Sequence, residues 1–310
     1  MNRMCSISVD VDTLEDYVVG YGYKDKSIPC NNRIYTRALP RLLELFDSFN
    51  IKATFFIVGR DIKNPQNVPI LRNLIKQGHE IGNHTMNHIY PFSRLSRAKK
   101  KEEILSAQKL AEDNLGYRVK GFRAPGYGID EESLQILQEE DYVYDSSVHP
   151  TFLMSLLNMS VIFISGGKNK FPEMKNCLHC LSPLSPYTPR KNLFFKKGND
   201  MRILEIPITV IPYFRMPFYG TFHLLFGKKV FDFGYYFLKK NGANINYAMH
   251  AIEMLGLMED DLDKWFARQP GINISLAQKQ KGYRHIFYQF KQDFEFAPLI
   301  DFSKRATDHA

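Results

Sequence analysis

The chain has 310 residues, of which 44% are hydrophobic, 14% aromatic and 24% charged, as in ordinary globular proteins. Its formal net charge of +8 suits anionic partners in general. Its longest basic run is the lysines at 99–101, however, and no zinc-finger spacing or recognition helix accompanies it, so nucleic-acid binding is not expected.

The N-terminal residues MNRMCSISVDVD lack the apolar stretch of a secretory signal peptide. Four cysteines without such a signal favour a reducing compartment. No uninterrupted apolar run reaches the ~18 residues that a membrane span needs. We therefore expect a cytoplasmic protein, and the sequence leaves its oligomeric state open.

Short apolar runs alternate with helical patterns over residues 5–147, as expected of repeated βα units. One predicted helix ends at Gly116, and another begins after Asp130 as its capping residue. Strands are predicted at 5–12, 52–59, 79–84, 119–126 and 142–147, and helices at 35–50, 68–78, 96–116 and 130–140.

The alternation stops at 150–200, where prolines recur without any period, so a long loop or insertion is expected there. Order returns with a strand at 202–212, a helix at 229–242 and a strand at 245–255, before a helical tail at about 258–310. With about seven βα units, the pattern predicts a single α/β domain over 1–310, either a barrel or an open parallel sheet.

The first strand carries two aspartates, Asp10 and Asp12, at its carboxyl end. Because side chains alternate along a strand, both point to the same face, at the edge where βα architectures hold their chemistry. Two adjacent carboxylates need a cation, a shared proton or a basic partner; the plain alternative is a solvated strand end. Glu15 and Asp16, which follow, are expected on the surface.

The segment HEIGNHTMNH holds three histidines, His79, His84 and His88. If a helix begins after the third strand, His84 and His88 at positions i and i+4 share one face within reach of a single ion. Imidazoles at that spacing suit zinc and similar first-row metals, although the spacing by itself also occurs by chance. His79 is expected to be an ordinary loop or capping residue.

Five segments, SVDVDT, HTMNH, GFRAPGY, YDSS and YAMHAIE, stand in the order of the five motifs of the polysaccharide deacetylase family (NodB homology, carbohydrate esterase family 4). Over roughly residues 5–255 the chain resembles this family, and in character it resembles the cytoplasmic branch that acts on lipid-linked amino sugars. The resemblance implies a distorted (β/α)7–8 barrel with a long insertion after the strand near residue 145. It also implies a metal-dependent amidohydrolase that removes an acetyl or formyl group from an amino sugar.

The resemblance also assigns a metal site and a base. Asp12, His84 and His88 resemble the family's ligands for a divalent metal, with Zn²⁺ first and Co²⁺, Mn²⁺, Ni²⁺ or Fe²⁺ as alternatives. Asp10 resembles the general base, and Arg123 resembles the residue that pairs with it. The two aspartates stand in a D-V-D pattern rather than the commoner D-D, which occurs in a subset of the family.

Three further residues take roles through the same resemblance. His250 resembles the general acid, and Asp145 is expected to orient it or raise its pKa. The backbone N–H of Tyr127 resembles a donor to the oxyanion of the tetrahedral intermediate.

The absent signal and the basic charge resemble those of the lipid-linked sugar branch, and this resemblance implies an N-acylated sugar carried on a polyprenyl phosphate at the cytoplasmic membrane face. Residues 210–229, rich in aromatics and close to Arg215, Lys228 and Lys229, would suit contact with an anionic membrane, unless they form a core strand and a buried loop. The alternatives are a deacetylase of a soluble or polymeric glycan, a cyclic amide or imide hydrolase on the same barrel, and an inactive metal-containing barrel that binds glycan.

The CLHC segment contains Cys177, His179 and Cys180, three potential metal ligands in four positions. A structural zinc site needs a second group of ligands, which the sequence lacks. The segment is therefore expected to be part of a mobile loop.

Overall fold

The computed structural model of the chain describes residues 3–23, 28–153 and 174–307. Its strands are β1 Met4–Val11, β2 Thr54–Ile57, β3 Glu80–Asn83, β4 Gly121–Phe122, β5 Tyr144–Asp145, β6 Pro189–Arg190, β7 Leu193–Lys197, β8 Leu204–Glu205, β9 Val210–Ile211, β10 Met216–Pro217, β11 Ile245–His250 and β12 Glu295–Phe296. Its helices are α1 Leu14–Gly20, α2 Leu39–Phe49, α3 Val68–Lys76, α4 Arg97–Leu115, α5 Glu131–Glu139, α6 Gly220–Asn241, α7 Leu276–Asp293 and α8 Leu299–Thr307.

The centre of the fold is a curled parallel sheet in the order β11-β1-β2-β3-β4-β5-β8, with β12 beside the start of β1. Helices follow most of its strands, so the predicted barrel of βα units is confirmed. The gap between β8 and β11 is bridged by Asn246, whose side-chain amide donates to the carbonyls of Ile206 and Pro207 at 3.2 Å each. The Thr209 N–H also donates to the Asn246 carbonyl, at 3.1 Å.

The helices form where apolar residues recur at helical spacing, and they bury that face against the sheet. In α2 the buried positions are Leu39, Leu42, Leu45 and Phe46, and the helix ends at Asn50 in a left-handed conformation (φ 56°). The predicted capping signals of two other helices are confirmed. Asp130 accepts the Ser133 N–H at the start of α5, and Gly116 (φ 64°) ends α4.

The C-terminal helix α8 covers the amino-terminal end of the sheet. Its first two amides, of Leu299 and Ile300, donate to Thr54 Oγ1 at 2.8 Å and to Glu80 Oε2 at 2.9 Å. Thr54 and Tyr144 donate their hydroxyls to the same carboxyl group, at 2.6 and 2.8 Å. We call these five residues the barrel floor. Burial raises the pKa of Glu80 to about 7 in spite of these hydrogen bonds.

The segment predicted as a long loop or an insertion at 150–200 contains regular structure in its second half, which agrees with an insertion rather than a plain loop. Residues Met174–Leu181 form a short helical segment, and β6 pairs with β7 in an antiparallel hairpin. Tyr187 then bridges to Glu205, which attaches this region to the edge strand β8. Residues 154–173 lie outside the described part of the chain.

The prediction that CLHC is part of a mobile loop is wrong for His179 and Cys180. His179 and Cys180 are buried within the helical segment, where His179 contacts the ring of Phe194. The side chain of Cys177 lies outside the described residues. These apolar contacts, which sequence spacing does not show, order the segment.

Two other boundaries differ from the sequence prediction. The predicted strand at 202–212 is divided into β8 and β9, since Pro207 between them has no N–H for a sheet hydrogen bond. Helix α6 begins at Gly220, earlier than predicted, and its backbone is interrupted at Gly227 (φ 76°, ψ −175°). Among the described residues, every helix is too short or too polar to cross a membrane.

Candidate active site

The candidate residues meet at the carboxyl edge of the sheet. Asp10 and His250 are register partners on the neighbouring strands β1 and β11. Asp12, His84 and Arg123 come directly after β1, β3 and β4, respectively. Because the carboxyl ends of parallel strands share one edge, residues distant in sequence are brought together there.

The two histidines meet through a loop, so the predicted helix at His84–His88 is wrong. After β3 the backbone takes left-handed conformations at Thr85 (φ 63°) and His88 (φ 53°), which a right-handed helix cannot contain. The Thr85 carbonyl instead accepts the Gly59 N–H at 2.8 Å. The spacing of four residues brings the two rings to 5.0 Å between centroids by a different local structure.

Asp12, His84 and His88 present one ligand atom each to a common point. The Nε2 atoms of both histidines lie 3.3 Å from Asp12 Oδ1, and the ligand atoms of the three residues all lie within 4.8 Å of one another. Tetrahedral bonds of roughly 2.0 Å place ligand atoms about 3.3 Å apart. Asp12 Oδ1 and His88 Nε2 are buried and have no hydrogen-bond partner among the described residues. The three residues therefore fit a divalent metal ion.

A second layer of contacts orients both imidazoles. His84 Nδ1 is 2.7 Å from the Arg123 carbonyl, and His88 Nδ1 is 3.5 Å from Asp16 Oδ1. Acceptors at Nδ1 favour the tautomer that leaves Nε2 free to bind a metal. The expectation that Asp16 is a surface residue is wrong. It lies in the first turn of α1, where it accepts the Thr13 N–H and pairs with Arg60, whereas Glu15 is exposed.

Asp12 and His88 shift each other's pKa in opposite directions. Burial tends to raise the pKa of Asp12, but the neighbouring imidazoles of His88 and His84 outweigh it and hold that pKa well below its usual range. Burial tends to lower the pKa of His88, but the carboxylates of Asp12 and Asp16 raise it to about 9. A metal ion held by Asp12, His84 and His88 would replace the proton as the positive charge beside Asp12.

Asp10 is fixed by a buried guanidinium. Arg123 is fully buried and donates from Nη1 to Asp10 Oδ1 at 2.7 Å. Its remaining donors reach the Ser146 carbonyl at 2.8 Å and Ser8 Oγ at 2.9 Å, and it lies 4.3 Å above the Phe56 ring. Burial lowers the Arg123 pKa, but Asp10 more than compensates and the net shift is upward. The second oxygen of Asp10 is left facing the site.

The Tyr127 backbone does not fit its expected role as an oxyanion donor. Its N–H closes a tight turn by donating to the Ala124 carbonyl at 3.0 Å, and its φ of 63° holds that turn. The Tyr127 N–H therefore already has an acceptor within the turn and is not available to an oxyanion. The Tyr127 hydroxyl instead lies 3.4 Å from Asp10 Oδ2. Burial raises the Tyr127 pKa well above its usual value, so this hydroxyl stays protonated and can donate.

His250 lies between two carboxylates. Its Nε2 is 3.8 Å from Asp10 Oδ2, and its Nδ1 is 3.7 Å from Glu253 Oε1. Burial tends to lower the His250 pKa, but the two carboxylates outweigh it and raise that pKa to about 9. Glu253 is itself held by the hydroxyls of Thr221, at 2.5 Å, and Tyr283. His250 is thus a protonated donor in the neutral range.

The expectation that Asp145 orients His250 is wrong, because Glu253 occupies that place. Asp145 accepts from the Ser147 hydroxyl at 2.7 Å and from the Ser147 N–H at 3.1 Å. Ser147 in turn accepts the Ala124 N–H at 2.8 Å, which supports the loop after Arg123. Asp145 is a positioning residue for that loop.

Sequence reasoning missed three residues of the site: Asp16, Glu253 and His149. His149 is buried against the rings of Tyr127 and Tyr219, and neither of its ring nitrogens has a hydrogen-bond partner among the described residues. Burial lowers its pKa to about 3, so the ring is neutral. Glu253 was visible as the last residue of YAMHAIE, and His149 closely follows YDSS. His79, expected outside the site, indeed lies elsewhere and accepts the Ala53 N–H.

Comparisons with known proteins relate part of the chain to one family. Residues 27–144 match the sequence model of the polysaccharide deacetylase family. A peptidoglycan-N-acetylglucosamine deacetylase of Bacillus cereus is 33% identical over 131 residues, which cover 39% of this chain and 59% of that protein. A peptidoglycan deacetylase of Helicobacter pylori is 26% identical over 148 residues, 47% of this chain and 49% of that protein. The chain thus spans only about half the length of these curated relatives.

Solved structures share the fold over nearly the whole chain. A polysaccharide deacetylase described as putative, from Mycobacterium smegmatis, aligns with a TM-score of 0.61 at 16% identity, covering 100% of this chain and 93% of that one. The PuuE allantoinase aligns with a TM-score of 0.58 at 17% identity, covering 97% and 89%. At such identities the likeness concerns the fold alone. Over residues 27–144 the chain is thus similar to the polysaccharide deacetylase family, and the solved structures share its fold.

Proposed function

We propose that the protein is a metal-dependent amidohydrolase that removes the N-acetyl or N-formyl group of an amino sugar. One observation carries the proposal. The unpartnered ligand atoms of Asp12 and His88 lie beside Asp10, a carboxylate fixed by Arg123. A metal site next to an oriented base is an arrangement that can hydrolyse an amide with water. The peptidoglycan deacetylase names of the relatives support an N-acetylated glycan as the substrate class.

Asp12, His84 and His88 would hold the ion, most simply Zn²⁺, given two imidazoles and one carboxylate. When bound, such an ion polarises the acyl carbonyl and acidifies water. Asp10, aimed by Arg123, accepts the proton of the attacking water at its second oxygen. The Tyr127 hydroxyl, 3.4 Å from that oxygen, lies where it can donate to the substrate.

His250 completes the acid–base pair. With its pKa raised to about 9, it is protonated in the neutral range and can deliver a proton to the departing amine. Glu253 stabilises the charged imidazolium from the other ring nitrogen. After the reaction Asp10 holds a proton and His250 has lost one, and their separation of 3.8 Å favours the return of the proton between them.

The decisive assay measures release of acetate or formate by purified protein stripped of metal and reloaded with Zn²⁺ or Co²⁺. We expect release only after reloading, from an N-acetylated or N-formylated amino sugar offered as a chitooligosaccharide, as peptidoglycan or on a polyprenyl phosphate. Hydrolysis of allantoin in preference to these glycans would identify a cyclic amide hydrolase instead. Binding of glycan without any release would identify an inactive binding barrel.

The matched variant is Asp10→Asn. It keeps the shape of the side chain but removes the base, so turnover is lost while the metal content stays near that of the wild type. Arg123 keeps a neutral hydrogen-bond acceptor in this variant, which limits damage to the buried network. Retained turnover in Asp10→Asn would contradict the assignment of the base.

We further propose that the sugar is carried on a polyprenyl phosphate and that the protein acts in the cytoplasm, at the membrane face. Parts of residues 210–229 support contact with lipid, although Val210, Ile211 and Phe218 are core residues. The supporting feature is an exposed set of aromatic side chains, flanked by exposed lysines at 229 and 240. We call it the aromatic surface: Tyr213, Phe214, Phe233 and Tyr236. Cys5 and Cys30 form no disulfide within the described part of the chain, which agrees with a reducing compartment.

Sedimentation with liposomes tests this finer proposal. Wild-type protein is expected to sediment with anionic liposomes at low salt, and the double variant Phe214→Ser/Phe233→Ser is expected to stay in the supernatant. Met258→Ser is the control, because Met258 is an apolar residue outside the aromatic surface and is more exposed than either phenylalanine. Equal sedimentation of all three proteins, or none by the wild type, would contradict membrane contact without touching the hydrolase assignment.

A further inference from the structure

The loop between the two histidine ligands has a backbone conformation that its own residues do not favour. Thr85 and His88 are both left-handed, with φ of 63° and 53°. Left-handed conformations are unfavourable for residues other than glycine, most of all for a β-branched threonine, and they persist only where surrounding contacts hold them. The contacts around this loop therefore decide whether His84 and His88 stay together.

Asn87, the residue before His88, has three of its polar groups held by neighbouring side chains. Its N–H donates to Glu103 Oε2 and its side-chain amide donates to Glu103 Oε1, at 2.7 Å each. Its carbonyl accepts from Arg60 Nη1 at 2.9 Å. Because the N–H and the carbonyl belong to the peptide planes on either side of Asn87, these contacts fix the backbone from which the His88 side chain extends.

Helix α4 places Glu103 against this loop. Ala107 lies one turn further along the same face of the helix, and its Cβ would be only 2.7 Å from a Cβ at Gly59. Glycine at position 59 thus lets α4 approach the backbone that follows β2. The Gly59 N–H in turn donates to the Thr85 carbonyl at 2.8 Å. The loop is therefore held between two packed elements, the backbone after β2 and one face of α4.

The Glu103 carboxylate is buried, at 1% exposure, and burying a carboxylate is costly unless both its oxygens accept hydrogen bonds. Both oxygens accept from Asn87, and Lys99 Nζ lies 3.5 Å from Oε1. Within the described part of the chain, Glu103 makes no hydrogen bond to the three ligand side chains. Its orienting effect on them passes through Asn87.

We propose that Glu103 is a positioning residue for the candidate metal site and that, through Asn87, it holds His88 with Nε2 towards Asp12. The inference rests on the proposed function, because it concerns the same ligands. Without this carboxylate, Asn87 loses two acceptors and the loop can leave its left-handed conformations. His88 Nε2 then no longer stays 3.3 Å from Asp12 Oδ1, and metal affinity falls by roughly 10–100-fold, as for other groups that orient ligands.

Glu103→Gln and Asn87→Asp test the contact singly and together. In Glu103→Gln two amide groups face each other, and in Asn87→Asp two carboxylates do, so each single change loses one of the two hydrogen bonds. In the double variant the introduced glutamine donates to the introduced aspartate and still accepts the N–H of position 87. Both hydrogen bonds are then restored, with the direction of one reversed.

Competition with a chromophoric chelator gives the Zn²⁺ affinity of the full chain, and the visible absorption of bound Co²⁺ gives the coordination geometry. Each single variant is expected to bind Zn²⁺ roughly 10–100-fold more weakly, with an altered Co²⁺ spectrum, and the double variant to recover most of both. Glu102→Gln, the exposed neighbour on α4, should match the wild type. Glu80→Ala is the stability control, because it should weaken folding at the far end of the sheet without changing either readout.

Wild-type Zn²⁺ affinity in Glu103→Gln would overturn the inference, and so would single-variant losses that the double variant does not restore. Equal weakening in Glu102→Gln would show a general effect of charge and would also overturn it. Absence of Zn²⁺ binding by the wild type would contradict both the inference and the proposed function. If the variants behave as expected but the wild type releases no acetate or formate, only the proposed function is contradicted.

Discussion

Two buried carboxylates at opposite ends of the sheet behave in opposite ways. Asp12, at the carboxyl edge, has an oxygen without a hydrogen-bond partner among the described residues, and imidazoles hold its pKa low. Glu80, at the amino end, accepts three hydrogen bonds from the barrel floor, and burial raises its pKa to about 7. A buried carboxylate oxygen that lacks a hydrogen-bond partner and lies beside imidazoles can bind a cation. A buried carboxylate whose oxygens accept several hydrogen bonds has a structural role.

The largest expected effect concerns the candidate metal site of Asp12, His84 and His88. Asp12→Asn removes the anionic ligand, so hydrolysis by the metal-loaded protein is expected to fall on the order of 10³-fold or more. The metal content should fall in parallel, because Asp12 supplies the anionic ligand atom. Steady-state kinetics together with metal analysis check this. A full complement of metal in Asp12→Asn would erase the contrast with Glu80.

The matched change at the barrel floor is Glu80→Ala. It leaves the hydroxyls of Thr54 and Tyr144 and the Ile300 amide without their acceptor, at a cost of about 3 kcal/mol in unfolding free energy. The metal content should not change, because Glu80 is at the far end of the sheet. Urea unfolding and metal analysis of the same preparation separate the two effects. Loss of metal in Glu80→Ala would show that the two ends are not independent.

The same carboxylate predicts a pH dependence of stability. The folded Glu80 has a pKa of about 7, above its unfolded value of 4.5, so the folded state binds more protons between these values. Stability from this group is therefore complete below pH ~4.5 and lost as pH rises towards ~7, by at most about 3 kcal/mol. Unfolding free energies at pH 5 and 8 in the wild type and in Glu80→Gln test this. The variant, which cannot ionise, should show a smaller decline.

Asp16→Asn tests the contact that orients His88 in the candidate metal site. The change weakens the acceptor at His88 Nδ1, and outer contacts of this kind contribute roughly 10–100-fold to metal affinity. The control is Glu15→Gln, the exposed neighbour on the same helix, which should bind Zn²⁺ as the wild type does. Competition with a chromophoric chelator measures both affinities. Equal weakening in both variants would point to general electrostatics rather than to orientation of His88.

The smallest expected effect is a shift of the pH profile of hydrolysis. His250 must be protonated to act as an acid, so activity should fall as pH rises through about 9. Glu253→Gln removes a carboxylate that favours the imidazolium, which lowers the His250 pKa and moves this limb at least about one unit to lower pH. Asp145→Asn, which changes the carboxylate expected from the sequence, should leave the limb in place. A shift in Asp145→Asn and none in Glu253→Gln would reverse the assignment.

The barrel and the residues that meet at its edge could be predicted because each depends on a local pattern. Alternating apolar runs predict the βα units. Asp10, Asp12, His84 and Arg123 lie in the last part of predicted strands, and His88 follows one, at an edge common to parallel strands. A single spacing also occurs by chance, whereas five segments in the order of the family's motifs are specific to that family. The HTMNH spacing predicts a ligand pair for the wrong local reason, since a loop with two left-handed residues gives the same proximity as a helix.

The remaining features depend on contacts between distant parts of the chain. Thr221 and Tyr283 place Glu253 beside His250, and Asp145 faces Ser147, although YDSS and YAMHAIE both contain a carboxylate. Nothing local distinguishes the two. The sequence likewise gives no indication that Asp16 turns inward or that α8 covers the barrel floor, because both depend on tertiary packing.

The most direct test of the contrast between the two carboxylates is the Zn²⁺ content of the purified protein after exhaustive dialysis, measured by mass spectrometry. The account predicts one ion per chain in the wild type and in Glu80→Gln, and loss of that ion in Asp12→Asn. Retention of one ion per chain in Asp12→Asn, or its absence from the wild type in the presence of micromolar Zn²⁺, would contradict the assignment of Asp12, His84 and His88 as a metal site.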